Sequence, residues 1–161
     1  MLFKTYQKLL GTSCLALYLV GCGSGGGGES PVEIEKNDFN STLKIISKAD
    51  SVTIQGVKLN RGNCVVNFVL VRETVQGALS QITPISMQDF KDMASVYEGL
   101  NNKERVANIE NKISQLKQKG VMMEPQALKF GESLKGISKG CNIIEAEIQT
   151  DKGAWTFNFD K

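Results

Sequence analysis

The sequence predicts an α+β domain, an antiparallel sheet of two hairpins with a helical insertion between them. Three patterns lead there: apolar runs and period-two alternation over 52–71 and 144–159, a 3.6-residue apolar period over 102–119, and turn residues that separate the runs. The domain is expected to occupy 51–161 as one unit. Residues 22–50 precede it as a lead-in, and residues 1–21 are a segment of a different kind.

The first hairpin starts with Val52 to Leu59. Val52 and Ile54 share one face, Val57 and Leu59 fall in the opposite register, and Gly56 between them marks a β-bulge. After the turn Asn60-Arg61-Gly62-Asn63, the run from Cys64 to Val71 is apolar on both faces, the pattern of a central, doubly covered strand. The helical insertion follows. Ser86 and Asp89 resemble a capping box, ahead of an inner face made by Phe90, Met93, Val96 and Tyr97. Gly99 to Asn101 joins this helix to an amphipathic one, about Asn102 to Lys119, with Val106, Ile109, Ile113 and Leu116 on its inner stripe and Gly120 ending it.

Leu128 and Phe130 suggest a short strand, followed by a loop, 131–140, that carries Gly131, Gly136 and Gly140. The second hairpin has Ile144, Ala146 and Ile148 alternating with polar residues, turns at Thr150-Asp151-Lys152-Gly153, and returns through Trp155, Phe157 and Phe159. The aromatic stripe is expected in the core, with Thr156 and Asn158 pointing away. Arg61-Gly62-Asn63-Cys64 and Lys139-Gly140-Cys141-Asn142 echo one another weakly, and chance similarity of turn residues explains the echo more simply than a half-repeat.

Residues 1–21 have the three-part build of a secretory signal: Lys4 and Lys8, then an apolar run from Leu9 to Val20, then small residues. The run is shorter than the roughly 20 apolar residues that span a bilayer. Leu19-Val20-Gly21-Cys22 resembles the lipobox of bacterial lipoproteins. That resemblance, confined to this short segment, implies cleavage before Cys22 and lipid on its thiol. Two or three acyl chains anchor stably at roughly 0.8 kcal/mol per buried methylene. It also implies a place in the bacterial cell envelope, and Gly23 after the cysteine fits the outer membrane, on its periplasmic or surface face, in a Gram-negative host. Gly23 to Gly28 then reads as a tether, since a phosphate-binding loop needs a preceding strand and a Lys-Ser/Thr pair that are missing here.

Lys4 and Lys8 account for the whole basic excess, so the chain from Cys22 onward carries 17 basic and 17 acidic residues. That balance gives no reason to expect a nucleic acid partner. Cys14 leaves with the signal and Cys22 takes lipid, which leaves Cys64 and Cys141 as an even pair expected to form a disulfide in an exported domain. A redox role is not expected, because there is no C-x-x-C.

The chain has no histidine, which removes the usual general base and the commonest metal ligand. Glu145 and Glu147 lie two apart on one strand and could pair as acid and base, but exposed polar positions explain them more simply. Ser133 and Lys135 form a bare Ser-x-Lys, too little to mark a nucleophile. No cofactor and no catalysis are expected. The expected function is a noncatalytic, lipid-anchored module that binds an envelope protein through a sheet edge, the helical insertion or loop 131–140, as secretion or conjugation accessory subunits and exclusion factors do. The alternative is an inhibitor that plugs an exogenous hydrolase with the loop near Cys141.

Overall fold

The computed structural model describes residues 28–70 and 82–159. Its elements are β1 (Val32–Asn37), β2 (Thr42–Ser47), β3 (Ser51–Leu59), α1 (Met87–Gly99), α2 (Lys103–Lys119), β4 (Gln126–Lys129), β5 (Ser133–Ile137), β6 (Glu145–Thr150) and β7 (Gly153–Asn158). The α+β class and the helical insertion are as expected, but the strands make two antiparallel sheets. One runs β1-β2-β5 and the other β4-β3-β6-β7.

The two sheets share one core. Val32, Leu43 and Ile45 come from the first, and Val52, Ile54, Val57, Leu59, Ala146 and Ile148 from the second. The alternation that buries Val52 and Ile54 would turn Val57 outward if it continued. The register of β3 against β6 shifts between Ile54 and Gly56, so Val57 and Leu59 face inward again. The bulge therefore lies where it was expected, but the extra residue is Gln55, and Gly56 pairs with Gln149.

Two strands lie where only a lead-in was expected. β1 and β2 pair over their full length, with Ile34 opposite Ile45, so the fold begins at Val32 and not near residue 51. The loop 131–140 is also largely a strand. Gly131 and Gly140 take positive φ at its flanks, while Gly136 sits inside β5 opposite Leu43. A Cβ on Gly136 would stand 2.8 Å from Val66 Cγ2 and 3.1 Å from a Phe68 ring carbon, so glycine here admits a crossing segment rather than a turn.

That segment is the run expected as a central strand, and the described part of it, Cys64 to Leu70, contains no strand. Cys64 bridges to Leu59 and Asn67 to Ile137 as isolated pairs. Other donors that a ladder would use are engaged elsewhere: the Asp89 carboxylate accepts the backbone N–H groups of Phe68 and Val69. Val71 lies outside the described residues.

The helices match expectation closely. The Ser86 side chain accepts from Asp89 N and the Asp89 carboxylate accepts from Ser86 N, forming a capping box. Asn102 caps α2, and Gly120 ends it at φ 69°. The helices build a second, smaller core from Met87, Phe90 and Leu116, with Ile109, Ile113 and Val121 packed against it. On β7 the aromatic stripe is only half-buried, because β7 is an edge strand. Phe157 and Phe159 pack against the main core, and Trp155 is half-exposed.

Cys64 and Cys141 are joined, with Cα atoms 6.1 Å apart. Beside them Asn60, at φ 49°, clips the opposite loop: its amide donates to Asn142 O at 2.7 Å, and its Oδ1 accepts from Ile144 N and Glu145 N. The weak echo around the two cysteines is no half-repeat, since Cys64 leads into irregular chain and Cys141 into β6.

Candidate functional site

The first sheet has two ends of different character. At one end the chain enters through Pro31, and the β4–β5 turn folds against it. At the other, β1 turns into β2 through Asp38-Phe39-Asn40-Ser41, and β5 runs out into Ser138-Lys139-Gly140.

The β1–β2 turn is held from several sides. Asn37 Oδ1 accepts from Phe39 N, the Thr42 hydroxyl donates to Asn40 Oδ1, and Ser138 N donates to Ser41 O. The first and last of these hold the backbone of the turn while leaving the Phe39 side chain fully exposed, at 100 %. A groove of about 810 Å³ opens beside it, with Ile137, Val69, Leu70 and Val96 as apolar lining and Asn67 and Asp92 as polar points. Its size falls within the usual range for ligand sites.

One buried carboxylate holds the far wall. Asp89 has no exposed surface, and it accepts N–H groups from Phe68, Val69, Ile85 and Ser86 as well as the Asn67 amide. This ties the 67–69 segment to the start of α1. Asn67 also donates to Asp92 at 2.9 Å, and Gln88 donates to the other Asp92 oxygen at 2.8 Å, so Asp92 is fixed within the wall. Lys139 also lines the groove. One acid and one base give the groove no dominant sign of charge, which suits a mixed polar and apolar ligand better than a multiply charged one.

A smaller cavity, about 520 Å³, lies beside the helices near Tyr97 and Arg105. Arg105 donates to the Tyr97 hydroxyl at 2.8 Å and its guanidinium is 5.1 Å from the ring centroid, an arrangement that ties α2 to α1.

The other candidate residues are scattered. Glu145 and Glu147 stand on β6 with different partners: Arg61 lies 3.6 Å from Glu145, and the Gln149 amide donates to Glu147 at 3.0 Å. Ser133 and Lys135 are exposed on β5. Loop 131–140, expected as a binding loop, contributes to the groove only Ile137, Lys139 and Gly140 at its end. Cys22, the expected lipid site, and the signal segment lie outside the described residues. Among the described residues no group of three His, Cys, Asp or Glu side chains could hold a metal ion, and no helix is long and apolar enough to cross a membrane.

Sequence reasoning missed Phe39. Its signal was present: an aromatic residue inside Asn37-Asp38-Phe39-Asn40-Ser41, a run otherwise made of turn formers. No family model, curated protein or solved structure matches the chain.

Proposed function

We propose that this chain is a noncatalytic envelope lipoprotein, anchored through lipid on Cys22, that binds a segment of another envelope protein in the groove beside Phe39. In a Gram-negative host the anchor is in the outer membrane. Secretion or conjugation accessory subunits and exclusion factors are the functional classes this fits.

The observation that carries the binding role is Phe39. A fully exposed aromatic side chain on a turn whose backbone is held by two hydrogen bonds has already lost much of the backbone entropy that ordering on binding would cost. Anchors of this kind, next to a recess with a few fixed polar groups, dominate protein interfaces. The groove offers apolar walls for a side chain and Asn67 and Asp92 for backbone groups of the bound segment. The inhibitor alternative has less support, since the free loop near Cys141 is short once β5 is taken out of it.

A photo-crosslinking side chain at position 39 in intact cells tests the binding role. One discrete adduct with an envelope protein is expected, absent with the probe at Glu110 on the exposed face of α2. Phe39→Ala should weaken that association by about 30-fold, the loss of roughly 2 kcal/mol typical of an aromatic hot spot. Equal crosslinking at both positions refutes it. For the anchor, Cys22→Ser should abolish acyl chains on the mature N-terminus by mass spectrometry and release the chain from the membrane fraction. An unmodified Cys22 in the parent chain refutes that part.

A further inference from the structure

We infer that the β4–β5 turn is a second, non-covalent contact with the lipid bilayer, made by Phe130. The inference rests on the lipid anchor proposed for Cys22.

Phe130 is 70 % exposed at the tip of a four-residue turn, Lys129 to Glu132. The turn is tight and locally closed. Glu132 N donates to Lys129 O at 2.9 Å, the Glu132 carboxylate accepts from Lys129 N at 2.8 Å, and Gly131 in the third position takes φ 79°. A large apolar side chain at such a tip has no packing reason to be there, since turn positions favour small and polar residues.

Its location explains it. Gly131 N donates to Ser47 O at 2.9 Å, Ser47 N donates to Glu132 O, and Lys48 N donates to Pro31 O at 2.8 Å. The turn is therefore pinned, through two residues of β2 and its exit, to the point where the chain enters the fold. From Cys22 to Val32 there are ten Cα steps. Ten steps extend no further than about 35 Å, comparable to the diameter of a domain of this size. A bilayer holding the lipid on Cys22 thus lies within reach of this end of the first sheet, the end where the tether joins the fold, while Phe39 and the groove lie at the opposite end.

The charges around the tip are mixed. Lys48 pairs with Glu29 at 3.0 Å, and Lys129 and Asp50 are both exposed. The occupant is accordingly a lipid surface of either headgroup charge, entered by the Phe130 ring as aromatic residues enter membrane interfaces. The rigid turn inserts without being ordered first, and the contact holds the groove outward.

The test uses the lipoprotein purified from cells, with lipid on Cys22 verified by mass, reconstituted in vesicles of a phosphatidylcholine brominated in the upper acyl chain. In a Trp155→Phe background, tryptophan placed by Phe130→Trp should be quenched several-fold more than tryptophan placed by Phe39→Trp. A second measurement needs no substitution: amide exchange in the unaltered lipoprotein should slow at 129–132 on vesicles relative to detergent micelles, and stay unchanged at 38–41. Equal quenching at the two positions and unchanged exchange at 129–132, in a chain that carries its lipid, overturn this inference and leave the anchor standing. Protection at 129–132 that appears only when envelope protein is added overturns it in favour of a protein contact. A chain with no lipid on Cys22 overturns both.

Discussion

Replacing Asp89 with asparagine keeps the shape of the side chain and changes only what it can accept. The carboxylate takes Asn67 Nδ2, Phe68 N and Val69 N on Oδ1, and Ile85 N and Ser86 N on Oδ2, all between 2.8 and 3.2 Å, with Phe68 N shared between the two oxygens. In Asp89→Asn one of those oxygens becomes an NH2 group. Whichever way the amide turns, at least two backbone or side-chain donors then face another donor in a site with no exposed surface. Each orphaned buried donor costs about 1 to 3 kcal/mol, so two of them should cost about 2 to 6 kcal/mol. That is a large fraction of the roughly 5 to 15 kcal/mol that holds a typical domain together.

Ser86→Ala supplies the comparison, because it removes one capping bond and should cost about 1 kcal/mol. Urea unfolding followed by Trp155 fluorescence and by far-ultraviolet circular dichroism measures both. The first probe reports the second sheet and the other the helices, so separated transitions would show that α1 and α2 detach before the strands unfold. An Asp89→Asn loss no larger than that of Ser86→Ala would refute the argument that this one carboxylate holds the groove wall.

Cys64 and Cys141, 77 residues apart, close a long loop. Replacing both with serine should lower stability by about 4.5 kcal/mol in the chain-entropy account, read as a drop in the urea midpoint that reducing agent reproduces in the parent chain and not in the variant. Gly136→Ala should cost about 1 to 3 kcal/mol by crowding Val66 and Phe68. Val66→Ala in the same chain should recover part of that loss, and strict additivity in the double-mutant cycle would show that the close approach is not its cause.

The parts of the fold that were legible in the sequence are those whose physics is local. Ser86 with Asp89 marked the start of α1, and Asn102 with Gly120 bounded α2, because caps act within one turn of the chain. Gly56 marked the bulge, and the alternation around Thr150 to Gly153 marked the β6–β7 hairpin. The failures share one cause. Cys64 to Leu70 has the composition of a buried strand, yet the donors of Phe68 and Val69 go to a carboxylate some twenty residues away in sequence. The glycines of 131–140 suggested a loop, whereas Gly136 answers to side chains about seventy residues earlier. β1 and β2 follow a glycine run that masks their start, although Val32 and Ile34 alternate as a strand should.

For the candidate site, the sequence held the residues and not their arrangement. Phe39 was visible as an aromatic residue among turn formers, and Asp89 as half of a capping box. That Asp89 also closes the groove wall, and that Phe39 stands beside that groove, follows only when β2 pairs with β5 and the 64–70 segment crosses Gly136.

The α+β class, both helices with their limits, the bulge, one hairpin and the cysteine pair are legible in the chain before it folds. Periodicity, caps and turns act between near neighbours, and counting cysteines needs no geometry. The division of the strands into two sheets, the apolar run that becomes a crossing segment, and the placing of Phe39 and Phe130 at opposite ends of one sheet arise only when the chain packs in three dimensions. Those outcomes depend on which distant group satisfies a given backbone donor and which side chain occupies a given space, and neither is written in the spacing of residues along the chain.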